Sequence, residues 1–339
     1  MPTLKILSLL LLSTLFIAPL AAKENELTVY TYSSLQGKGS LCELLQKEWE
    51  LLGKKVKFVS FSTSQETLNQ VLLEKNKTKA DLILGIDQQG LVKAKISGHF
   101  LVNDLSKILP LADKAIPREG LQSGFVPFDF GYLAFVYDKT KVKPTSPTSF
   151  LEFITEQKAK RMILIDPRTS QLGFSFLAWT EALWKSSEWE KNLSKLASIT
   201  KLWSPGWSAA YSLFLKGEGD YVLSYTTSPA YHIEKEKKTQ YQTVTFNEGH
   251  FMQVESAGIV RYSGRKELAE EFLKLLVSKH VQEKIPQVQW MYPVLPGLKL
   301  PASFEKLQVV KPIKAPLWVD ESTQNAWLAA WTNHITASR

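Results

Sequence analysis

Between Trp203 and Tyr231 the chain reads WSPGWSAAYSLFLKGEGDYVLSYTTSPAY. Trp203, Trp207, Tyr211, Tyr221, Tyr225 and Tyr231 are spread among Ser, Thr and Gly, with few charges between them. Trp and Tyr join a flat apolar face to a polar handle. Set among small hydroxyl residues, they make a wall for a flat polar molecule or a cation. The same rings also serve as ordinary core, so the choice rests on what converges with them. A second aromatic run, QWMYP at Gln289–Pro293, places Trp290 and Tyr292 two apart. An extended segment would put both on one side, facing a cleft or packed on the tail.

Signatures of catalysis are missing. The chain holds no G-x-S-x-G, no H-E-x-x-H, no S-x-x-K with K-T-G and no Walker loop. Gly37–Ser40 (GKGS) lacks the phosphate-loop spacing. The five histidines are dispersed; His232 and His250 alone fall near the aromatic run. With a single cysteine, Cys42, no metal-ligand cluster is legible. Catalytic and metal sites are therefore expected to be absent, and the chain is read as a binding protein. A secreted hydrolase whose triad meets only in space is the rival from another class.

The N-terminus, MPTLKILSLLLLSTLFIAPLAAKENE, has one lysine before an apolar run and ends in Ala21–Ala22. That is the pattern of a cleaved secretory signal peptide over 1–22. The run is short for a membrane span. The remaining 317 residues are enough for two domains. Losing Lys5 with the leader leaves 40 basic and 33 acidic side chains, a formal +7. The lysines are scattered, and those at 235–238 alternate with Glu234 and Glu236 as on a solvated helix face, so nucleic acid is not an expected partner. One cysteine excludes an intramolecular disulfide. Cys42, on the apolar stripe of LCELLQKEWELL, reads as a small core residue.

The elements that must position the rings alternate. Leu27–Tyr32, Val56–Phe61 and Ala80–Ile86 read as strands. Ser40 with Glu43 and Thr63 with Glu66 have capping-box spacing, which starts a helix after each of the first two strands. Such βαβ order predicts parallel pairing, and in open α/β sheets ligands bind beyond the carboxyl ends of the strands. Those ends are rich in hydroxyls and amides. Tyr132–Tyr137 reads as a strand crossing between lobes, and Phe251–Arg261 as a return crossing. Between them lies a second α/β set: strand Met162–Ile165, the turn Asp166–Ser170, helices to Trp184, over Glu188–Ala197 and over Ser208–Lys216, and strand Asp220–Tyr225. Ser228 is expected to cap a helix begun by Pro229. Lys266–Val277 is an amphipathic helix, and a Trp-containing helix closes the tail.

Long segments of the chain resemble the periplasmic thiamine-binding proteins of bacterial ABC importers. They include LTVYTY at 27–32, ADLILGID at 80–87, FVPFDFGYLAFVYD at 125–138, DPRTS at 166–170, GWSAAYSLFLKGEGD at 206–220, LSYTTSPAYHI at 223–233, NEGH at 247–250 and WMYP at 290–293. The resemblance implies an α/β, two-lobed periplasmic-binding-protein fold of type II, each lobe a mixed sheet flanked by helices, with a ligand cleft between. It implies lobe 1 from 23–127, lobe 2 from 128–253, and a return over 254–339. Carried over by position, the ligand contacts are Tyr32, Ser170, Trp207, Tyr225, Tyr231 and Trp290. Two departures stand out. Where the family has a Trp after the first strand, this chain has Gly37–Ser40. Where it has an acid and a glycine after the second strand, this chain has Ser62–Thr63–Ser64. A tryptophan wall and a carboxylate counter-charge are thus expected to be missing. Thr63 and Ser64 are read either as contacts that admit a phosphate or as helix caps alone.

The function implied is capture of thiamine, with its phosphate esters, and delivery to an inner-membrane permease and its ATPase. The protein would be a periplasmic monomer without a cofactor and not an enzyme. Within the same fold, ferric iron calls for clustered tyrosinates with carboxylate or His ligands, and a polyamine for several pocket acids. Neither pattern is legible around Tyr225 and Tyr231.

Overall fold

The computed structural model describes residues 25–102, 124–143, 149–156, 161–313 and 319–336. The expected leader at 1–22 lies outside them. Among the described residues no helix is long and apolar enough to cross a membrane.

The first sheet begins with β1 (Glu26–Tyr32), α1 (Leu41–Leu51), β2 (Lys55–Phe61), α2 (Ser64–Glu74), β3 (Leu82–Asp87) and α3 (Gln88–Ser97). Both expected caps form. Ser40 Oγ accepts from Glu43 N, and Thr63 Oγ1 accepts from Glu66 N at 3.1 Å. Each glutamate reaches one residue further back than a standard capping box, Glu43 to Gly39 N and Glu66 to Ser62 N. Gly53, at φ +73°, ends the turn after α1 in the left-handed region. β1 runs parallel to β2 and to β3.

β4 (Phe125–Asp138) joins two sheets. Its first part pairs antiparallel with β9 (Met252–Ile259), its second part with β7 (Tyr221–Tyr225) and β8 (Tyr241–Val244). The second sheet adds β5 (Met162–Ile165) and β6 (Thr200–Ser204), parallel to each other, with β5 also parallel to β7. Around it lie α4 (Phe150–Glu156), α5 (Gln171–Ile199), α6 (Trp207–Leu215) and α7 (Ser228–Tyr231). The two helices expected between Gln171 and Ala197 both form: α5 is two helices end to end, separated at Lys185, whose backbone (φ 46°, ψ 152°) is not helical. The chain then returns as β9, α8 (Lys266–Leu276), α9 (Lys279–Gln282), α10 (Ile285–Val288), β10 (Tyr292–Pro293) and α11 (Ala302–Glu305), and α12 (Glu321–Thr336) packs on α5. The strand order is β2-β1-β3-β9-β4-β7-β5-β6, with β8 and β10 also on β4. Parallel pairing holds within each βαβ run. The crossings β4 and β9 run against it, so each half is mixed.

Among the described residues this order produces four buried hydrophobic clusters, the two largest, a first and a second core, lying on opposite halves of the strand order. In the first, Leu27, Val29, Leu82 and Leu84 pack with α1 and α8, where Trp49 meets Phe272 edge-on at 5.2 Å. In the second, Phe135, Phe150, Trp179 and Phe246 pack ring on ring between β4 and helices α4 and α5. Cys42 belongs to the first core, and burial pushes its thiol far above the ordinary range. The thiolate is the reactive form, so native protein is expected to resist thiol reagents until it unfolds. Rapid labelling of folded protein by a maleimide would contradict this.

His232 and His250 lie in the second lobe, not in the cleft. His232 is buried between Tyr211 and Glu236, at 2.9 and 3.0 Å. His250 accepts from Phe246 N at 3.0 Å and donates to Leu133 O at 2.7 Å, and burial lowers its pKa to about 4. Both are structural, contrary to the nearness to the site read from their position. The face expected to be solvated at 234–238 is also partly engaged. Glu234 accepts from Ser303 Oγ and Gln287 Nε2, and Glu236 holds His232.

Candidate functional site

The carboxyl ends of β1, β2 and β7 open into one cavity of about 490 Å³, placed as strand order predicts. Tyr32 closes β1, Thr63 and Ser64 start α2, and Ser170 precedes α5. Trp207 is the first residue of α6, Tyr225 the last of β7, and Tyr231 the last of α7. Trp290 lies between α10 and β10. All eight of these residues, each a candidate contact from sequence, line the cavity.

Each ring is held by identifiable contacts. Trp207 stacks on Tyr211 at 5.2 Å, and its Nε1 donates to Ser224 Oγ at 2.8 Å. Ser224 Oγ lies 2.8 Å from Ser228 Oγ, which accepts from Tyr225 N. Ser228 thus ties the wall together rather than capping α7, the role its place before Pro229 suggests. Tyr225 Oη donates to Gln253 Oε1 at 2.9 Å. Tyr231 meets Trp290 edge-on at 5.2 Å, with Lys235 over the indole at 5.6 Å. Tyr32 lies across β3 because residue 85 is glycine: a Cβ there would meet Tyr32 Cε1 at 2.3 Å, and φ is +93°.

Trp290 and Tyr292 do not share a face. Trp290 has φ +61°, so the segment is not extended there. Trp290 turns to the cavity, while Tyr292 packs with Phe130 and Phe304. Thr63 and Gln65 reach across the mouth: Thr63 Oγ1 donates to Thr169 O at 3.1 Å and Gln65 Nε2 to Arg168 O at 3.0 Å.

The expected lack of a carboxylate is corrected by Glu255, which lines the cavity from the middle of β9. Its carboxylate accepts from Tyr32 Oη at 2.6 Å and from Gln289 Nε2 at 3.0 Å. Behind it Asp129 is fully buried on β4. Burial raises both carboxyls, and the charge of Glu255 raises Asp129 further. Burial and the same acids push the Tyr32 and Tyr225 phenols well above their ordinary range. A polar floor thus underlies an aromatic wall. Sequence reasoning misses Glu255 and Asp129 because each is one acid in an apolar run, MQVESAGI and FVPFDFGY. An acid in a strand that is otherwise buried is the available signal.

A model of the family described as bacterial extracellular solute-binding protein matches residues 32–283, which hold the cavity residues named here except Gln289 and Trp290. This chain belongs to that family. The solute-binding protein is 40% identical over 341 residues to the thiamine-binding periplasmic protein of Escherichia coli (strain K12), covering 98% of this chain and 99% of that relative. It is 34% identical to the protein of the same name from Haemophilus influenzae (strain ATCC 51907 / DSM 11121 / KW20 / Rd), covering 98% and 100%. A solved structure of a periplasmic thiamin binding protein superposes with a TM-score of 0.83 at 37% identity, over 91% of this chain and 96% of that one. The ferric binding protein from Campylobacter jejuni superposes with a TM-score of 0.72 at 15% identity, over 92% and 99%, a likeness of fold. The solute-binding protein thus has the two-lobed type II architecture expected of it.

Proposed function

We propose that this protein captures thiamine in the cleft and hands it to an inner-membrane permease driven by an ATPase. The observation that carries the reading is the cavity itself, with Trp207, Tyr225, Tyr231 and Trp290 around it and a buried carboxylate beneath. Thiamine pairs a flat aminopyrimidine with a thiazolium cation. Ring faces attract such a cation by roughly 0.5–2 kcal/mol each, and the serines and threonines of the rim offer hydrogen bonds to its polar groups. Relatives named as thiamine-binding periplasmic proteins along nearly the whole chain support the same ligand and compartment. The reading includes a cleaved leader at 1–22, lobes at 23–127 and 128–253 with a return over 254–339, a monomer, and no catalytic step. Lobe closure about β4 and β9 is its mechanism, because contacts from both sides bias closure. Titration calorimetry of the chain lacking 1–22 tests it. Saturable 1:1 binding of thiamine is expected, and no detectable heat at millimolar ligand would refute it.

Ferric iron fits less well. Among the described residues no three His, Cys, Asp or Glu side chains converge to hold a metal. Tyr32 and Tyr225 donate their phenol protons to Glu255 and Gln253, whereas a ferric site draws on clustered tyrosinates. A polyamine can no longer be set aside for want of an acid. The rings still favour a flat monocation over a flexible chain of amines.

We include the phosphate esters of thiamine among the ligands. Lys38 and the hydroxyls of Ser62, Thr63 and Ser64 border the cavity at the N-terminus of α2, where the helix dipole favours an anion. Thr63→Asp preserves the cap, since aspartate caps well, but sets a negative charge there. It is expected to shift the affinity ratio toward free thiamine over the monophosphate by about 1 kcal/mol. An unchanged ratio would leave Thr63 as a helix cap and a contact across the mouth.

A further inference from the structure

Asp87, Glu255 and Asp129 lie side by side across three neighbouring strands. In the antiparallel registers Glu255 is directly opposite Asp87 of β3 and directly opposite Asp129 of β4. Their side chains are buried, with Asp87 1%, Glu255 4% and Asp129 0% exposed, so water offers little screening. Like charges opposite one another destabilise a sheet. A row of acids at its centre therefore calls for compensation, and each member has a different one. Asp87 accepts from Gln89 N, Gly90 N and Ser175 Oγ, all at 3.0 Å. Glu255 accepts from Tyr32 and Gln289 and borders the ring-walled cavity. Asp129 receives no hydrogen bond from any N–H or O–H donor at either oxygen. Its polar neighbour is the carboxyl of Glu255.

Two buried carboxyls that face each other cannot both ionise readily. The proton belongs on Asp129, since Glu255 already has two donors to stabilise its charge and Asp129 has none. Asp129 then donates to Glu255 as a third partner. That leaves one negative charge at one defined place, the cavity floor.

We propose that Glu255, oriented by Tyr32, Gln289 and a protonated Asp129, is the residue that makes this cleft select a cationic ligand. The inference rests on the thiamine reading and deepens it. Ring faces favour a cation, but they also stack on a neutral heterocycle. A buried carboxylate distinguishes them strongly, since a neutral ligand would leave it buried without a counter-charge. The acid also stands on β9, far in sequence from the turn after β2 where the family resemblance implies one.

Glu255 is raised above the ordinary carboxylate range chiefly by burial, with Asp87 adding to the rise and Tyr32 and Gln289 opposing it. At lower pH it therefore takes up a proton, which the incoming cation must displace to solvent. The other titratable groups facing it are Asp87 from β3, Asp129 from β4, Tyr32 from β1 and Tyr225 from β7. Both phenols are raised well away from neutrality. Asp87, raised to about 6 by burial, titrates nearby but does not border the cavity.

Calorimetry with thiamine between pH 6 and 8, in buffers of different ionisation enthalpy, tests the assignment on the chain lacking 1–22. The parent is expected to bind more weakly at pH 6 than at pH 8 and to release protons on binding at pH 6. Glu255→Gln is expected to bind roughly 30-fold more weakly at pH 8 and to lose the proton release. Comparison at each pH cancels titration of thiamine itself. Asp129→Asn, whose amide donates as the protonated acid does, is expected to stay within about threefold of the parent. Glu255→Gln binding as tightly as the parent, or releasing protons as the parent does, would overturn the proposal. So would a large loss of affinity in a folded Asp129→Asn. If the parent itself does not bind thiamine, the functional reading fails instead. Melting then still reads the carboxyl: a raised acid stabilises the fold at low pH and loses that contribution as pH rises through its folded value. The parent's melting temperature should therefore fall from pH 5 to pH 8 by more than that of Glu255→Gln, and equal falls would show that Glu255 is not raised.

Discussion

Trp207→Ala is expected to bind thiamine roughly 5- to 150-fold more weakly than the parent, a loss of about 1–3 kcal/mol. The ring is pinned rather than loosely placed. It stacks on Tyr211 at 5.2 Å and donates to Ser224 at 2.8 Å, so its face is presented before ligand arrives and little ordering entropy is lost on binding. The ring is partly exposed at the cavity, so its removal should cost the fold less than the complex. Tyr225→Ala is expected to fall in the same range. Fluorescence quenching or calorimetry with thiamine reads both. Undiminished binding in the two variants would remove the aromatic wall from the site and with it the argument for a flat cation.

Trp179→Ala is expected to destabilise the protein by about 3–5 kcal/mol, the range for deleting a large buried ring. Trp179 is 0% exposed, stacks on Phe150 at 5.3 Å and lies 5.2 Å from the His250 ring. Its Nε1 donates to Gly249 O at 3.3 Å. The variant leaves a cavity among Phe135, Phe150 and Phe246 and an orphaned carbonyl beside His250, whose ring ties Phe246 N to Leu133 O. Urea unfolding gives the loss. A change under about 1 kcal/mol would mean the second core collapses around the gap more readily than its stacked rings imply. Trp179 does not border the cavity, so folded variant should still bind, which separates core from wall among the tryptophans.

That separation is only partly legible in the sequence. Trp207, Tyr225 and Tyr231 stand among Ser and Thr, and all three border the cavity. Tyr221, from the same run, is buried in the second core, and Tyr211 belongs to both, largely buried there yet bordering the cavity. Ser40 and Thr63 are readable as caps because capping is local, set by residues three apart. Tyr292 is misplaced by its spacing because the left-handed backbone at Trp290 breaks the extended geometry, and nothing in a non-glycine residue announces a positive φ. Sequence proximity puts His232 and His250 near the site, yet tertiary packing buries both behind it. The largest omission is the acid floor. Asp87, Asp129 and Glu255 are remote in sequence and meet only because β9 lies between β3 and β4. Strand order of that kind is not encoded in any local pattern.

The position of β9 also bears on the order in which the chain can fold. β9 forms late in synthesis, yet it fills the gap between β3 and β4 in the first sheet. The partners that flank β5 and β7, by contrast, all lie between Phe125 and Val244. As the chain emerges, the second sheet can close while the first still presents a bare edge along β3. That edge is buried and apolar in the finished protein, and an unpaired edge of this kind invites pairing with other chains. Completion must wait for a strand far along the chain, the kind of long-range closure that slows folding. A holdase that covers β3 until Met252 appears would therefore protect this protein at its most vulnerable stage.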